Sequence, residues 1–212
     1  MTSAQVFIVD DDAGIRSSLS MLLRSVNIAC ESFASAEDFL QICGPKTQGC
    51  LVLDVRMQGM SGPQLQAELA RRKIDLPTIF LTGHGTVELA VGAMQAGALD
   101  LLSKPINGAR LVQKVRDALA VLASRQQAQA LRSDLDSKLA KLTQRERQVL
   151  LLSLEGMPSR EIAAALKISS RTIDGHRARI YLKTNVNSVL ELVQLASRSG
   201  GNLLELLEAS AK

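Results

Sequence analysis

The stretch Cys50-Leu-Val-Leu-Asp54 decides the fold of the first half of the chain, because an uninterrupted apolar run ends there on a carboxylate. Similar short apolar runs occur at 6–9, 28–30, 78–81 and 99–102. Helical patterns lie between these runs, at 15–25, 35–42, 63–72, 86–96 and 107–122. Strands that are apolar throughout are typical of parallel sheets covered on both faces. The alternation predicts an α/β flavodoxin-like fold, a doubly wound parallel five-stranded sheet of order 2-1-3-4-5.

The second half of the chain has no strand pattern. Four helical patterns follow one another at 144–155, 160–166, 170–183 and 188–197. The short connection at 167–169 suits two helices packed at a steep angle, as in a helix-turn-helix. We therefore expect an α/β domain at 1–122, a helical linker at 123–141, an all-α four-helix helix-turn-helix domain at 142–198 and a short amphipathic tail at 199–212.

The linker contains no Gly or Pro, and Leu131, Leu135, Leu139 and Leu142 recur along one face of a helix. This spacing favours a helix continuous with the one before it, although a flexible linker is an alternative. Self-pairing of two chains along the leucine stripe is a further alternative, but two turns of leucine are weak support for a coiled coil.

Charge is divided unevenly between the two halves. Residues 1–120 carry 11 Lys/Arg against 12 Asp/Glu, whereas residues 143–198 carry 9 against 5. A basic second domain suggests a polyanion partner. Aromatic residues make up only 2% of the chain, which argues against nucleic-acid binding by base stacking.

Several features indicate a cytoplasmic protein with no membrane partner. No apolar stretch approaches the length of a membrane span, and the first residues lack the pattern of a signal peptide. Cys30, Cys43 and Cys50 are odd in number and form no C-x-x-C pair, so we interpret them as buried thiols in a reducing compartment.

Carboxylates follow two strands that the predicted order places side by side. Asp10, Asp11 and Asp12 come after the first strand, and Asp54 ends the third. Ligand crevices in such sheets lie at the carboxyl ends of strands where the strand order reverses. Clustered carboxylates repel one another, and a hard divalent cation with oxygen ligands relieves that repulsion. We therefore expect Mg²⁺, or Mn²⁺, at this edge.

Two further strand ends complete a site suited to a phosphoryl group. Thr82 offers a hydroxyl after the fourth strand, and Lys104 offers an ammonium after the fifth. A cis bond between Lys104 and Pro105 is one way to aim the lysine inward. An aspartate carboxylate can act as a nucleophile toward phosphorus. Taken singly, Asp12 fits a helix cap, Thr82 a strand-end hydroxyl and Lys104 a surface charge. Their convergence at one edge of the sheet favours a site that handles a phosphoryl group.

With these residues in place, 1–122 resembles the receiver domain of two-component response regulators. The matching motifs are Val-Asp10-Asp11-Asp, Leu-Asp54-Val-Arg-Met, Ser61-Gly62, Thr82-Gly-His-Gly and Lys104-Pro105, and Thr82-Gly-His84-Gly resembles the FixJ-type subgroup. The resemblance implies that Asp54 is the phosphoacceptor and Lys104 the phosphate-binding lysine.

The same resemblance implies a metal site and a switch. Asp11, Asp54 and the backbone carbonyl of Arg56 would be the metal ligands, with Asp10 assisting. Thr82 would be the switch hydroxyl. The family usually has Tyr or Phe three residues before the lysine, whereas this chain has Leu101 there. Leu101 would be the second switch residue, because a leucine can still fill or vacate a pocket, although it lacks the ring and the hydroxyl of the usual residue.

Residues 143–198 resemble the LuxR-type DNA-binding domain of FixJ- and NarL-like regulators. The match runs through Leu142-Thr143-Gln-Arg-Glu146, Arg160-Glu-Ile162-Ala163, Arg171-Thr172-Ile173 and His176-Arg177. Thr143-Gln-Arg-Glu146 has the form of a capping box at the start of the first helix. Ser159 is expected to cap the scaffold helix, and Ser169 or Ser170 the recognition helix. A recognition helix lies in the major groove of DNA. We assign DNA contact to four residues, mostly with phosphates: Arg171, Thr172, Arg177 and Lys183.

Two residues depart from that pattern: Gly175 stands inside the recognition helix, and Thr184 where an apolar residue is usual. The last helix of such domains is the usual dimer surface, and its apolar candidates here are Val189, Leu192 and Val193.

The sequence thus predicts a transcriptional regulator in which a sensor histidine kinase phosphorylates Asp54. Its partners would be that kinase and double-stranded DNA, bound as a homodimer, with phosphorylation-dependent dimerisation as one alternative. It would not be an enzyme beyond autophosphorylation from small donors and autodephosphorylation. The alternatives are a metal-dependent phosphohydrolase and a DNA-binding protein that is independent of phosphorylation.

Overall fold

The computed structural model describes residues 5–83 and 97–209. The chain divides into two compact units, Met1–Ala123 and Ser124–Lys212. The predicted helix at 86–96 and His84 lie outside the described residues. In the part of the chain that is described, no helix is both long and apolar enough to cross a bilayer.

The first unit is a parallel sheet with helices in its connections. Its strands lie in the order β2-β1-β3-β4-β5 and every pair is parallel, which confirms the predicted fold. The described elements are β1 (Gln5–Val9), α1 (Ala13–Ser25), β2 (Cys30–Phe33), α2 (Ala36–Ile42), β3 (Gly49–Asp54), α3 (Gly62–Arg71), β4 (Thr78–Thr82) and β5 (Asp100–Ser103). The next helix, α4 (Gly108–Ala140), begins in this unit, and its residues after Ala123 belong to the second.

Alternate residues of the central strands enter two separate apolar cores, one on each face of the sheet. In β1, Phe7 and Val9 face one core and Val6 and Ile8 the other. All residues of β3 are buried, as expected for a strand covered on both sides. Every described strand therefore ends at one edge of a rigid sheet, and that edge holds the candidate site.

The second strand lies later than predicted. The apolar run at 28–30 is the expected strand, but β2 spans Cys30–Phe33. Asn27 adopts a left-handed conformation (φ 60), and the N–H of Ile28 donates to the carbonyl of Leu23 at the end of α1. Ile28 therefore belongs to the helix terminus, a common use of αL residues. Phe33 packs against one core of the sheet, with its ring centroid 5.4 Å from that of Phe39, and Ile28 packs against the other core from outside the strand.

The second unit is helical throughout its described residues. Four helices form the predicted helical domain, and a fifth follows in the tail: α5 (Gln144–Leu154), α6 (Ser159–Leu166), α7 (Ser170–Thr184), α8 (Val189–Arg198) and α9 (Leu203–Ala209). The capping box between Thr143 and Glu146 is present at the start of α5. At the start of α6, however, Pro158 is the N-cap and Ser159 is the first helical residue, so the predicted cap at Ser159 is wrong. The extended backbone of the proline ends the preceding turn.

Three of the four stripe leucines are part of the second unit's core. The helix α4 runs without a break from Gly108 to Ala140. Leu135, Leu139 and Leu142 are buried in one cluster with Leu203 and Leu206 of the tail helix. Three of the four leucines that could have paired two chains are thus buried within one chain, together with the tail helix, whereas Leu131 is only partly buried.

Candidate functional site

The strand order brings two aspartates to the same edge of the sheet. In the paired strands β1 and β3, Val9 lies opposite Leu53, so Asp10 and Asp54 follow at equivalent positions. Both carboxylates are buried, whereas Asp11 is exposed. Carboxylate oxygens of Asp10, Asp11 and Asp54 lie within 4.8 Å of one another. The predicted acidic cluster is therefore present in the structure.

Lys104 reaches this cluster from the end of β5. Its Nζ atom lies 2.8 Å from Oδ2 of Asp10 and 3.1 Å from Oδ2 of Asp54. The Lys104–Pro105 bond is cis, and the backbone N–H of Lys104 donates to the carbonyl of Thr82. One ammonium thus bridges the ends of the first and third strands.

Hydrogen bonds fix the three acids that follow the first strand in different ways. Oδ1 of Asp10 accepts the N–H of Asp12 at 2.9 Å, and the carbonyl of Asp10 accepts from Arg16 at 2.7 Å. Asp12 caps α1 by accepting from Gly14 and Ile15, as expected. Oδ2 of Asp11 accepts the N–H of Gln58, which follows β3. Arg16 was not identified from the sequence, since an arginine in a first helical turn carries no distinctive pattern.

The electrostatics of the pocket reflect burial opposed by charge pairing. Burial raises the pKa of Asp54, the hydrogen bond from Lys104 acts against this, and the nearby charge of Asp10 adds to the rise. Burial alone would lower the pKa of Lys104, but its hydrogen bonds to Asp10 and Asp54 hold that pKa above the ordinary value. One cation therefore faces more than one carboxylate, so the pocket favours a second cation.

The donor set fits a hard divalent ion. It consists of carboxylate oxygens on one side of the pocket, and no sulfur or imidazole ligand is among the clustered groups of the described residues. Mg²⁺ prefers oxygen ligands and keeps several waters, which the exposed position of Asp11 allows. The backbone N–H of Arg56 donates to Asp54. The carbonyl of Arg56 as a ligand stays a prediction.

Gly62 allows the loop after β3 to fold against Asp54. A Cβ atom at this position would overlap the carbonyl oxygen of Asp54 and lie 2.9 Å from the ring of Phe80. The N–H of Gly62 also donates to the carbonyl of Val55. The motif Ser61-Gly62 was identified from the sequence, but the steric reason for its glycine is visible only in the structure.

The two predicted switch residues lie on neighbouring strands: Thr82 ends β4, and Leu101 is the second residue of β5, opposite Phe80. Thr82 is 3% exposed at the end of β4. Leu101 of β5 is partly buried against the core that contains Phe80. The switching role of Thr82 and Leu101 stays a prediction.

The recognition helix α7 begins with exposed polar side chains. Ser169 is its N-cap and accepts the N–H of Thr172, so of the two predicted caps the first is present. Arg171 and Thr172 are exposed in the first turn. Residues at this end of such a helix lie nearest to base edges and phosphates in the major groove. DNA contact by Arg171 and Thr172 stays a prediction.

Arg177 and Lys183 are placed differently from Arg171. The guanidinium of Arg177 donates to Ser153, Met157 and Ser159. Nζ of Lys183 lies 2.7 Å from Oε2 of Glu146 and also donates to the carbonyl of Lys141. Both cations are thus engaged inside the domain, which the exposed-face pattern of the helix did not predict.

Glu146 is a buried acid whose role goes beyond its predicted cap. It is 2% exposed and accepts from Thr143 and Lys183. Burial acts to raise the pKa of Glu146, but the hydrogen bonds from Lys183 and Thr143 outweigh it and hold the pKa below its ordinary value. The capping box signalled the local contact, whereas the partner 37 residues away had no sequence signal.

The two unusual residues of α7 are accommodated without conflict. Gly175 is exposed, and a Cβ atom there would meet nothing within 4 Å. Thr184 is fully buried, but its hydroxyl donates to the carbonyl of Ile180 at 2.7 Å. A satisfied hydroxyl is tolerated in a core.

Comparison with known proteins gives the same two-part division. Residues 6–116 match the response regulator receiver domain, and residues 140–196 match the bacterial regulatory proteins of the luxR family. The chain is 41% identical to the transcriptional regulatory protein FixJ of Azorhizobium caulinodans, over 93% of this chain and 94% of that protein.

Two solved structures are similar over most of the chain. The response regulator StyR aligns with a TM-score of 0.80 and 40% identity, covering 93% of this chain and all of the StyR chain (100%). Full-length FixJ from B. japonicum aligns with a TM-score of 0.58 and 36% identity, covering 94% of this chain and 98% of that chain.

Proposed function

The chain belongs to the two-component response regulators that join a receiver domain to a LuxR-type DNA-binding domain, and we propose that Asp54 is the residue whose phosphorylation controls it. Members of this family act as transcriptional regulators under the control of phosphorylation, with a histidine kinase as partner. They are regulators rather than turnover enzymes, so the phosphohydrolase alternative is not retained.

The observation that carries this proposal is the contact of Lys104 with two buried carboxylates. Asp54 lies at the end of a rigid, fully buried strand, so its carboxylate has a fixed direction of attack. In the reaction, a carboxylate oxygen of Asp54 would form the bond to phosphorus while the bond to the donor's leaving group breaks. Lys104 can then exchange its ion pair with Asp54 for one with the phosphoryl oxygens.

We further propose that the pocket binds Mg²⁺ or Mn²⁺ through Asp11, Asp54 and the carbonyl of Arg56, with Asp10 assisting. The bound ion would neutralise charge on the transferring phosphoryl oxygens. Asp10 is held in place by Asp12 and Lys104, so it acts as a fixed negative charge beside the ligands. With the ion in place, small phosphoryl donors would also react, and water would later remove the phosphoryl group.

Thr82 and Leu101 are the proposed means by which the phosphoryl group changes the domain. Thr82 is buried at the end of β4 and its hydroxyl would donate to a phosphoryl oxygen. Leu101 packs against the same core from β5. As Thr82 moves, the leucine can fill or vacate a pocket, but it has neither the ring nor the hydroxyl of the residue usual at this position.

For the DNA-binding domain we propose direct contact through Arg171 and Thr172, which are exposed at the start of the recognition helix. Binding as a homodimer would use α8, where Leu190 and Val193 are exposed. Leu192, an expected member of that surface, is fully buried in the core and cannot take part. We place this activity in the cytoplasm, where its DNA would be found.

The experiment is selection of binding sites from genomic DNA, followed by affinity measurement with and without acetyl phosphate and Mg²⁺. Phosphorylation should raise the affinity for the selected site, and Asp54→Asn should remove that rise while leaving the basal affinity unchanged. An equal rise in Asp54→Asn would exclude Asp54 as the controlling residue. No rise in the wild type would favour the phosphorylation-independent alternative.

A further inference from the structure

The guanidinium of Arg177 lies at the junction of three segments of the helix-turn-helix domain. Its Nε and Nη2 atoms donate to Oγ of Ser153 at 3.3 and 3.2 Å. Its Nη1 atom donates to Oγ of Ser159 at 2.9 Å, and Nη2 also donates to the carbonyl of Met157 at 3.3 Å. A guanidinium has five N–H donors, and these four contacts leave it little capacity for a phosphate.

The partners of Arg177 belong to the elements that carry the recognition helix. Ser153 is in the last turn of α5, Met157 is in the turn, and Ser159 is the first residue of α6. Ser153 donates its own hydroxyl to Val149, so its lone pairs are free to accept from Arg177. Arg177 therefore joins α7 to both ends of the α5–α6 connection.

A second side chain of α7 also forms a hydrogen bond to the first residue of α6. Oγ of Ser159 donates to Oδ1 of Asp174 at 3.0 Å, one turn before Arg177 on the helix. The hydroxyl of Ser159 thus donates to Asp174 and accepts from Arg177. The two contacts hold the recognition helix at a defined rotation and distance relative to the start of α6.

From this network we propose that Arg177 is a positioning residue for base recognition rather than a phosphate contact. The inference rests on the DNA-binding function of the domain. Recognition of a base edge depends on donor and acceptor geometry, whereas attraction to phosphates depends mainly on charge. A recognition helix released from Ser153 and Ser159 loses base discrimination first, while its general attraction to DNA is kept.

The test compares the full-length Arg177→Ala variant with wild type on the selected site and on an unrelated duplex, over a range of salt concentrations. Affinity for the selected site should fall about tenfold, the equivalent of about 1.4 kcal/mol or one impaired base contact. Affinity for the unrelated duplex and the slope of log affinity against log salt should stay the same. A general loss of folding would instead lower both affinities together.

Arg171→Ala is the matched control, because Arg171 is an exposed arginine of the same helix. Its salt slope should fall by about 0.9 for each phosphate that the side chain no longer neutralises. The same fall in Arg177→Ala would overturn the proposal. So would equal losses on both duplexes in an Arg177→Ala protein whose helix content and unfolding midpoint match the wild type.

Ser159→Ala provides a second route that leaves the arginine in place. Ser159→Ala should also lower the affinity for the selected site relative to that for the unrelated duplex. In the double variant Ser159→Ala/Arg177→Ala, the loss of this affinity ratio should be smaller than the product of the two single losses, because the two side chains share a hydrogen bond. Strictly multiplicative losses would contradict the network. If Arg177→Ala does not fold, Ser153→Ala and Ser159→Ala decide by the ratio of the affinity for the selected site to that for the unrelated duplex. A lower ratio supports the positioning role, and an unchanged ratio overturns it. A wild type that cannot distinguish the two duplexes would overturn sequence-specific binding itself, and this inference with it.

Discussion

The Nζ atom of Lys104 lies 3.1 Å from Oδ2 of Asp54, at the edge of the sheet where both β3 and β5 end. The same ammonium contacts the fully buried Asp10. Lys104 therefore forms ion pairs with carboxylates that a metal ion would need as ligands. The Lys104 ammonium and a bound metal ion would compete for this cluster. This relationship gives a direct prediction for metal affinity.

Lys104→Met should bind Mg²⁺ at least about tenfold more tightly, because a unit charge within about 4 Å contributes on the order of 4 kcal/mol at an effective dielectric of about 20. Isothermal titration calorimetry measures the affinity. Lys114→Met is the control, since Lys114 pairs with Asp100, outside the acidic cluster, at 2.8 Å. Unchanged or weaker Mg²⁺ binding in Lys104→Met would show that the lysine does not compete with the ion.

Gly62→Ala should destabilise the receiver domain by about 1–3 kcal/mol, because its methyl group would overlap the carbonyl of Asp54. The near-ultraviolet circular dichroism of phenylalanine reports on this domain, which contains all four phenylalanines of the chain. Gly44→Ala is the matched variant, since a Cβ atom at Gly44 meets nothing within 4 Å. Equal stability of the two variants would mean that the loop after β3 moves freely.

Glu146→Gln should lower the stability of the second unit in a way that depends on pH. The pKa of Glu146 in the folded protein lies below its ordinary value of 4.5. The ion pair with Lys183 therefore stabilises the fold fully above about pH 4.5, and this contribution disappears as the pH falls through the lower folded-state pKa. The difference in unfolding free energy between wild type and Glu146→Gln should thus be large at neutral pH and shrink in acid.

Urea unfolding followed by tyrosine fluorescence measures this difference, because Tyr181 of α7 is the single tyrosine and the chain has no tryptophan. The exposed Glu161 supplies the control variant Glu161→Gln. A difference between wild type and Glu146→Gln that stays constant from neutral pH to acid would rule out a stabilising charge at Glu146.

Leu206→Ala should cost about 2–5 kcal/mol of unfolding free energy in the same fluorescence assay, because Leu206 is 1% exposed in the second core. Leu204, two residues earlier in the tail helix, is 44% exposed. Leu204→Ala should therefore change stability by only about 0.5 kcal/mol. Similar small effects of both substitutions would show that the tail helix is not packed on the domain.

The sequence predicts most of the receiver because its strands are short and apolar, and because acidic residues mark the ends of two of them. Asp10, Asp54 and Lys104 could be brought together from strand order alone, since parallel strands end at one edge. The start of β2 could not be placed correctly, because Ile28 packs against the sheet core from the terminus of α1, before the strand begins. Periodicity does not distinguish these two uses of an apolar residue.

The DNA-binding half was less predictable at the level of single side chains. A helical wheel places Arg171 and Arg177 on polar positions of α7 but does not show where a long side chain turns. Arg177 turns back to hydroxyls contributed by α5 and α6, whereas Arg171 stays exposed. Contacts of this kind depend on the packing of helices distant in sequence, which periodicity does not encode.

The proposed function depends above all on Asp54 as the phosphoacceptor. The most direct measurement is phosphorylation of the full-length protein by acetyl phosphate and Mg²⁺, with the modified peptide located by mass spectrometry. We expect a phosphoryl group on the peptide that contains Asp54, dependent on Mg²⁺ and absent from Asp54→Asn. A phosphoryl group found on another peptide, or unchanged labelling of Asp54→Asn, would contradict this assignment.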